Sequence, residues 1–150
     1  MPAIAVVREE DLGDLLPLMR AYCDFYEVAP ADAALLAMSR ALIADPAHEG
    51  LQLVARDDDG AAVGFATLFW TWQTLSAARA AVMNDLYVSP AVRGTRLADG
   101  LIGACGEHAR AHGAPSLVWQ TAKDNHRAQA VYDRVGAERS EWLDYELALR

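Results

Sequence analysis

At 150 residues, 53% hydrophobic and 23% charged, the chain has the length of one domain with a sizeable core and the make-up of an ordinary soluble globular protein. Its net charge of −8 argues against a broad phosphate-binding surface, which needs clustered Lys and Arg, so no nucleic-acid partner is expected. The longest apolar stretch, Ala61 to Trp70, is shorter than the roughly 18 residues a membrane span requires, and Met1 to Val7 lacks the basic start of a secretory signal. No membrane association is expected, and Cys23 and Cys105, far apart in sequence, read as free thiols of a reducing, cytoplasmic location.

In chain order, Ile4 to Arg8 reads as a strand, and Leu12, Leu15, Leu16, Met19, Cys23 and Tyr26 then recur at helical spacing. With Asp14 as N-cap, Pro17 falls in the first turn, where a missing N–H costs little; a longer, kinked helix is the alternative. Asp32 is expected to cap a second helix running to about Ala44. Leu51–Arg56 and Ala62–Trp72 flank Asp57-Asp58-Asp59-Gly60, a turn sequence, and predict an antiparallel hairpin. Ala80–Val88 reads as a strand, and Leu97, Leu101, Ala104, Cys105, His108 and His112 share the face of a helix that ends at Gly113. Ser116–Thr121 is a predicted strand, Asn125–Val135 a helix closed by Gly136, and Ser140–Leu149 a last strand. The expected architecture is one mixed α+β domain over residues 1–150.

The junction from Leu86 through Ala98 sets a strand end, a turn and a helix start in series. Backbone N–H groups at such a helix start, with the positive end of the helix dipole, bind anions, and Arg93 and Arg96 add charge. Neither a nucleotide-triphosphate loop nor a dinucleotide fingerprint is present. His108 and His112 with Cys105 form at most half a metal site, so no metal is expected.

These residues resemble the GNAT superfamily of N-acetyltransferases, whose coenzyme A loop follows a Gln/Arg-x-x-Gly-x-Gly/Ala pattern after a strand ending like Leu86-Tyr87-Val88-Ser89-Pro90. Arg93-Gly94-Thr95-Arg96-Leu97-Ala98 follows that pattern at Arg93 and Ala98 and carries Arg96 where the pattern has glycine. Trp119-Gln120-Thr121, then Asn125, Ala128, Ala130, Tyr132 and Gly136-Ala137, look like the superfamily's later strand and helix. Ala21–Glu27, Asn84–Val88 and Asn125–Ala137 are most similar to its polyamine (diamine) acetyltransferase branch.

The resemblance implies a twisted mixed sheet of six to seven strands with about four helices, its strands ending at Val88 and Thr121 splayed around the pantetheine arm. It also implies acetyl-CoA as co-substrate and a homodimer. A small cationic amine is the expected acceptor; protein or peptide lysine, and a non-catalytic acyl-CoA-binding sensor, are the alternatives. Backbone N–H groups near Leu86 and Tyr87 would stabilise the oxyanion, Tyr132 would protonate the departing thiolate, and Asn125 would orient the cofactor arm while capping its helix.

Related polyamine enzymes carry a Glu-Asp pair where this chain has Asn84-Asp85. Regular strand alternation puts Asp85 on one face with Met83 and Tyr87, opposite Asn84. Asp85 is the candidate amine contact or base. Tyr22, Phe25, Tyr26, Glu27, Trp70, Trp72 and Asn84 complete the expected substrate contacts, as aromatic walls and carboxylates suit cations.

Overall fold

The computed structural model describes residues 2–150, and the chain divides into two compact units, Met1–Gln120 and Thr121–Arg150. The first contains β1 (Ala3–Val6), α1 (Leu12–Phe25), α2 (Asp32–Ala44), β2 (Gly50–Arg56), β3 (Ala62–Gln73), β4 (Ala78–Val88), α3 (Leu97–Ala111) and β5 (Leu117–Val118). The second contains α4 (His126–Arg134). The strands lie in the order β1-β2-β3-β4-β5, antiparallel except for the parallel pair of β4 with β5.

The β2–β3 hairpin closes where its composition predicts. The Asp57 carboxylate accepts the backbone N–H groups of Asp59 and Ala61 at 3.0 and 2.9 Å, and Gly60 takes φ +86°, a region open to glycine without steric cost. Strand alternation then sorts the sheet's two faces. Val54 and Phe65 are directly opposed and pack with Leu12, Leu15 and Met19 of α1 and Leu35 of α2. Gly64, one residue earlier, faces the other way: a Cβ there would meet Leu97 and Leu101 of α3 at 3.3 and 3.2 Å and the Tyr87 carbonyl at 2.9 Å. Helices α1 and α2 therefore cover one face and α3 the other.

Sequence expectations fail at several points. The first strand ends at Val6, and residues Glu9–Asp11 form a 3₁₀ turn that leads into α1 at Leu12. Asp14 is thus inside the helix, not its cap, and ion-pairs with Arg56 at 2.9 Å; Pro17 sits in the helix interior. Ala31 is the N-cap of α2, and Asp32, its first residue, pairs with Arg20.

The largest correction is the strand count: among the described residues five strands form, not six to seven. Residues 140–149 form no ladder, and Trp142, Leu143, Tyr145, Leu147 and Leu149 are exposed. Alternation marks which side of a strand is apolar, but a strand exists only where a neighbour completes its hydrogen bonds. The second unit holds no other strand to do so. The strand expected over Ser116–Thr121 shrinks for the same reason, since only Leu117 and Val118 pair with β4.

Candidate active site

The loop from Val88 to Leu97 is set by backbone conformation. Ser89 continues the sheet by donating to the Val63 carbonyl at 2.9 Å, and the Arg93 guanidinium folds back onto the Val88 carbonyl at 3.2 Å. Gly94 and Arg96 both take positive φ, +84° and +65°. Arg96 thus adopts the left-handed conformation for which glycine is the usual residue. It is the N-cap of α3, and its own side chain makes no capping hydrogen bond. The first N–H groups of α3, beginning at Leu97 and Ala98, carry the positive end of the helix dipole beside two exposed arginines, Arg93 and Arg96. Thr95 is held by a 2.6 Å hydrogen bond to the Val92 carbonyl. These residues fit a pyrophosphate.

Next to this loop, β4 has an open edge. Its pairing with β5 stops at Val82 opposite Val118, whereas its pairing with β3 continues to Val88. From Met83 to Val88 the backbone on the β5 side is therefore paired by no strand among the described residues. This stretch, with Leu86, Tyr87 and Val88, has hydrogen-bonding groups to offer an extended amide-bearing ligand arm.

The β4 ladder breaks at Asn84. Thr67 opposes Asp85, but the next residue, Leu68, opposes Met83, so Asn84 is the extra residue of a β-bulge. Because opposed residues share a face, Asp85 lies with Thr67, Phe65 and Tyr87 beneath α1 and α2, whereas Met83 lies with Leu68 on the α3 side. The expectation that Asp85 shares a face with Met83 and turns away from Asn84 is corrected on both counts: the Asn84 amide donates to Asp85 at 3.1 Å.

Asp85 is half-buried, opposes Thr67 across the ladder and lies near the Tyr22 phenol, so that the hydroxyl and the phenol act on its carboxyl together with the Asn84 amide. Burial pushes its carboxyl above the ordinary value, and these three neutral donors offset only part of the rise. Tyr22, held by burial and the nearby Asp85 carboxylate, has its phenol pushed far up and stays protonated. Tyr22 packs against Tyr26 at 5.1 Å and Phe65 at 5.9 Å, and Phe25 meets Tyr26 edge-on at 5.1 Å. Phe25 and Tyr26 are 63% and 46% exposed, so the end of α1 offers an open aromatic wall beside a carboxylate. Glu27, just past it, is exposed and has φ +58°.

Two expected substrate contacts lie elsewhere. Trp70 is buried on the α3 side, stacked on His112 at 4.1 Å with its indole N–H donated to the Pro46 carbonyl at 2.7 Å. Trp72 carries Arg79 over its ring at 4.3 Å. Both share the face of Leu68, opposite Asp85. Sequence reasoning missed Thr67 and Gln52, two buried polar residues; their only signal was a polar residue at an inward position of an apolar strand run.

In the second unit, Asn125 caps α4 by accepting the Ala128 N–H at 3.2 Å. Tyr132 is half-buried on α4, and its carbonyl accepts the Ala137 N–H at 3.1 Å as the helix closes.

Comparison with known proteins agrees with this geometry. The model of the acetyltransferase (GNAT) family matches residues 15–137. A Bacillus subtilis (strain 168) protein named uncharacterized N-acetyltransferase YhfO is 30% identical over 135 residues, covering 90% of this chain and 89% of that protein. The crystal structure of a probable acetyltransferase superposes with a TM-score of 0.85 at 27% identity, over 99% of this chain and 98% of the other. AAC(6')-Iy, solved with the bisubstrate analog CoA-S-monomethyl-acetylneamine, shares the fold with a TM-score of 0.87 at 20% identity, over 100% and 99% of the two chains. A helix start flanked by two arginines, an open strand edge beside it and a carboxylate near Tyr22 thus occur in a chain that belongs to the GNAT family of N-acetyltransferases.

Proposed function

We propose that the protein acetylates a small cationic amine, such as a diamine or polyamine, by direct attack on acetyl-CoA. One observation carries the reading: the bulge at Asn84 brings a half-buried carboxylate, Asp85, under Tyr22, whose ring packs on the exposed Tyr26 and, through it, Phe25. An alkylammonium suits this environment through charge pairing and cation–π attraction. The net charge of −8 favours approach of a cation.

An amine of pKa about 10.4 is almost wholly protonated at pH 7, which places a penalty of about 4.6 kcal/mol on the neutral nucleophile. A carboxylate whose affinity for protons is raised by burial is a better acceptor than a solvated one. Asp85 therefore anchors the ammonium and takes its proton, while Asn84 and Tyr22 aim the carboxylate. Arg93, Gly94, Thr95, Arg96, Leu97 and Ala98 hold the pyrophosphate, and the β4 edge at Leu86–Val88 takes the pantetheine arm and the thioester oxygen. The likeness of residues 125–137 to the family's helix assigns thiolate protonation to Tyr132. Support for acetyl-CoA as donor comes from the family and from AAC(6')-Iy, solved with a CoA-containing analog. A cytoplasmic homodimer completes the proposal.

Thiol release from acetyl-CoA, measured over a panel of diamines, polyamines, aminoglycosides and a lysine peptide, tests the reading. Small polycations are expected to give the highest kcat/KM; preference for the peptide would overturn the substrate class. Tyr132→Phe is expected to lower kcat by about 10²–10⁴ with little change in either KM, and wild-type turnover would remove Tyr132 from the mechanism.

A further inference from the structure

Three adjacent strands each place one polar residue in the same cross-strand row beneath α1 and α2: Gln52 on β2, Thr67 on β3 and Asp85 on β4. The neighbouring row, Val54, Phe65 and Tyr87, consists of apolar and aromatic residues of the core. Gln52 and Thr67 are 2% and 0% exposed, so neither can be explained as a solvated surface residue, and a buried polar group is kept only where its hydrogen bonds are used.

The row has a direction. The Gln52 amide nitrogen donates to the Thr67 hydroxyl at 3.1 Å. A threonine hydroxyl carries one proton, and with the amide donor on its oxygen that proton is left to turn toward the Asp85 carboxylate, directly opposite on β4. Were the amide turned over, its oxygen would compete for the same proton. The orientation present leaves Gln52 Oε1 buried without a partner, the mark of an amide held for the sake of its other end. The amide nitrogen also lies 3.7 Å from Met19 Sδ, which accepts from Ser39 Oγ at 3.6 Å, so the far end of the row is pinned to α1 and α2.

We propose that Gln52 and Thr67 are positioning residues that keep the Asp85 carboxylate aimed and ready to accept the proton of the substrate ammonium. The inference rests on the reading of Asp85 as that acceptor. In the step, the N–H bond of the ammonium breaks, its proton passes to an Asp85 oxygen, and the nitrogen keeps the electron pair that attacks the thioester. Thr67 transfers no proton. Its donated hydrogen bond favours the charged carboxylate, opposing burial. The groups facing Asp85 are Tyr22 from α1, Thr67 from β3 and Asn84 from its own strand, with Tyr26 behind Tyr22, Gln52 behind Thr67 and Ser39 of α2 behind Met19. None of them is a cation, so loss of one donor is not masked by a neighbouring charge.

The test pairs a carboxyl ¹³C NMR titration of Asp85 in the free protein with the pH profile of kcat/KM for the best amine, in wild type, Thr67→Val, Thr67→Ser and Gln52→Leu. Thr67→Val is expected to move the Asp85 midpoint upward by about one pH unit, a tenfold change in proton affinity, and to move the acidic limb of the rate profile with it. Thr67→Ser should restore both. Gln52→Leu should shift them in the same direction by less, since the hydroxyl remains but is no longer oriented. An unchanged midpoint in Thr67→Val, or in Gln52→Leu should the valine variant not fold, overturns the inference. A midpoint that moves while the acidic limb stays leaves the row intact and removes Asp85 as the proton acceptor.

Discussion

Helix α1 lies between two aspartates whose carboxyls end on opposite sides of the ordinary value. Asp11, just before its first turn, is 7% exposed; Asp85 meets Tyr22, close to its last turn. Burial alone raises the proton affinity of both. At Asp11 the rise is outweighed by the Arg8 backbone N–H at 2.9 Å and the Arg56 guanidinium at 2.9 Å, and the carboxyl is held below its usual range. At Asp85 the partners are an amide, a hydroxyl and a phenol, all neutral, and the carboxyl ends above it. Desolvation is common to both sites; the charge of the partner decides the outcome. One aspartate ties the start of α1 to the sheet, and the other is held, at some cost to the fold, in the state that the proposed mechanism uses.

The largest expected effect comes from exchanging the carboxylate for an amide at each site. Asp85→Asn should lower kcat/KM for the amine by about 10²–10⁴ and leave the acetyl-CoA KM nearly unchanged, while raising thermal stability at pH 7 because a half-buried charge is removed. Asp11→Asn should do the reverse, destabilising by about 1–2 kcal/mol, since solvent screens the outer side of its ion pair, with turnover intact. Melting curves and steady-state rates on both variants check this. Loss of stability in Asp85→Asn would break the contrast.

A smaller effect, but a sharper one, lies in the pH dependence of these variants. A depressed carboxyl contributes stability above its unfolded value of about 3.9 and loses it as pH falls through the folded value. The stability gap between wild type and Asp11→Asn should hold through neutral pH and close only in acid below about pH 4. A raised carboxyl behaves oppositely: its cost is present above the folded value and vanishes below the unfolded one. The gap between wild type and Asp85→Asn should therefore narrow as pH falls from 7 toward 4, before the Asp11 gap begins to close. Denaturant midpoints across that range distinguish the two; a parallel response would mean that the carboxyls do not differ.

The two sites were not equally readable from the residues. Asp57–Gly60 announces its hairpin, Asn125 its cap and Gly113 its helix end, because each acts on backbone groups within four residues of itself. The loop proposed to hold coenzyme A is legible for a similar reason, as strand, turn and helix start are contiguous. Asp85 was visible as a candidate, but its surroundings were not. One extra residue at Asn84 reverses the facing of every residue before it, and period-2 counting assumes no such insertion. The expected strand over Ser140–Leu149 failed differently: Leu143, Tyr145, Leu147 and Leu149 alternate well, yet pairing depends on a neighbour that local pattern does not contain. Trp70 shows the limit of composition, since an aromatic residue in a strand suits a ligand wall and a stack on His112 equally well.

The smallest expected effect extends the contrast to the backbone. Arg96 stands where the family pattern has glycine, and the structure has it in the glycine conformation, φ +65°, which costs a residue with a Cβ about 1 kcal/mol. Arg96→Gly should relieve that strain, but glycine also gives the unfolded chain more freedom, so the net gain should be only about 0.5 kcal/mol. The same change removes a charge at the start of α3, and CoA affinity should fall several-fold, more at low salt than at high salt. Arg96→Ala separates the two contributions: it keeps the strained φ, gains no stability and loses the same affinity. If calorimetry shows both variants binding CoA as tightly as wild type at low ionic strength, the arginine does not touch the phosphates and its strain has no functional return. If only the alanine variant loses affinity, the loop needs its shape more than its charge, and Arg96 is a substitute that preserves the glycine turn.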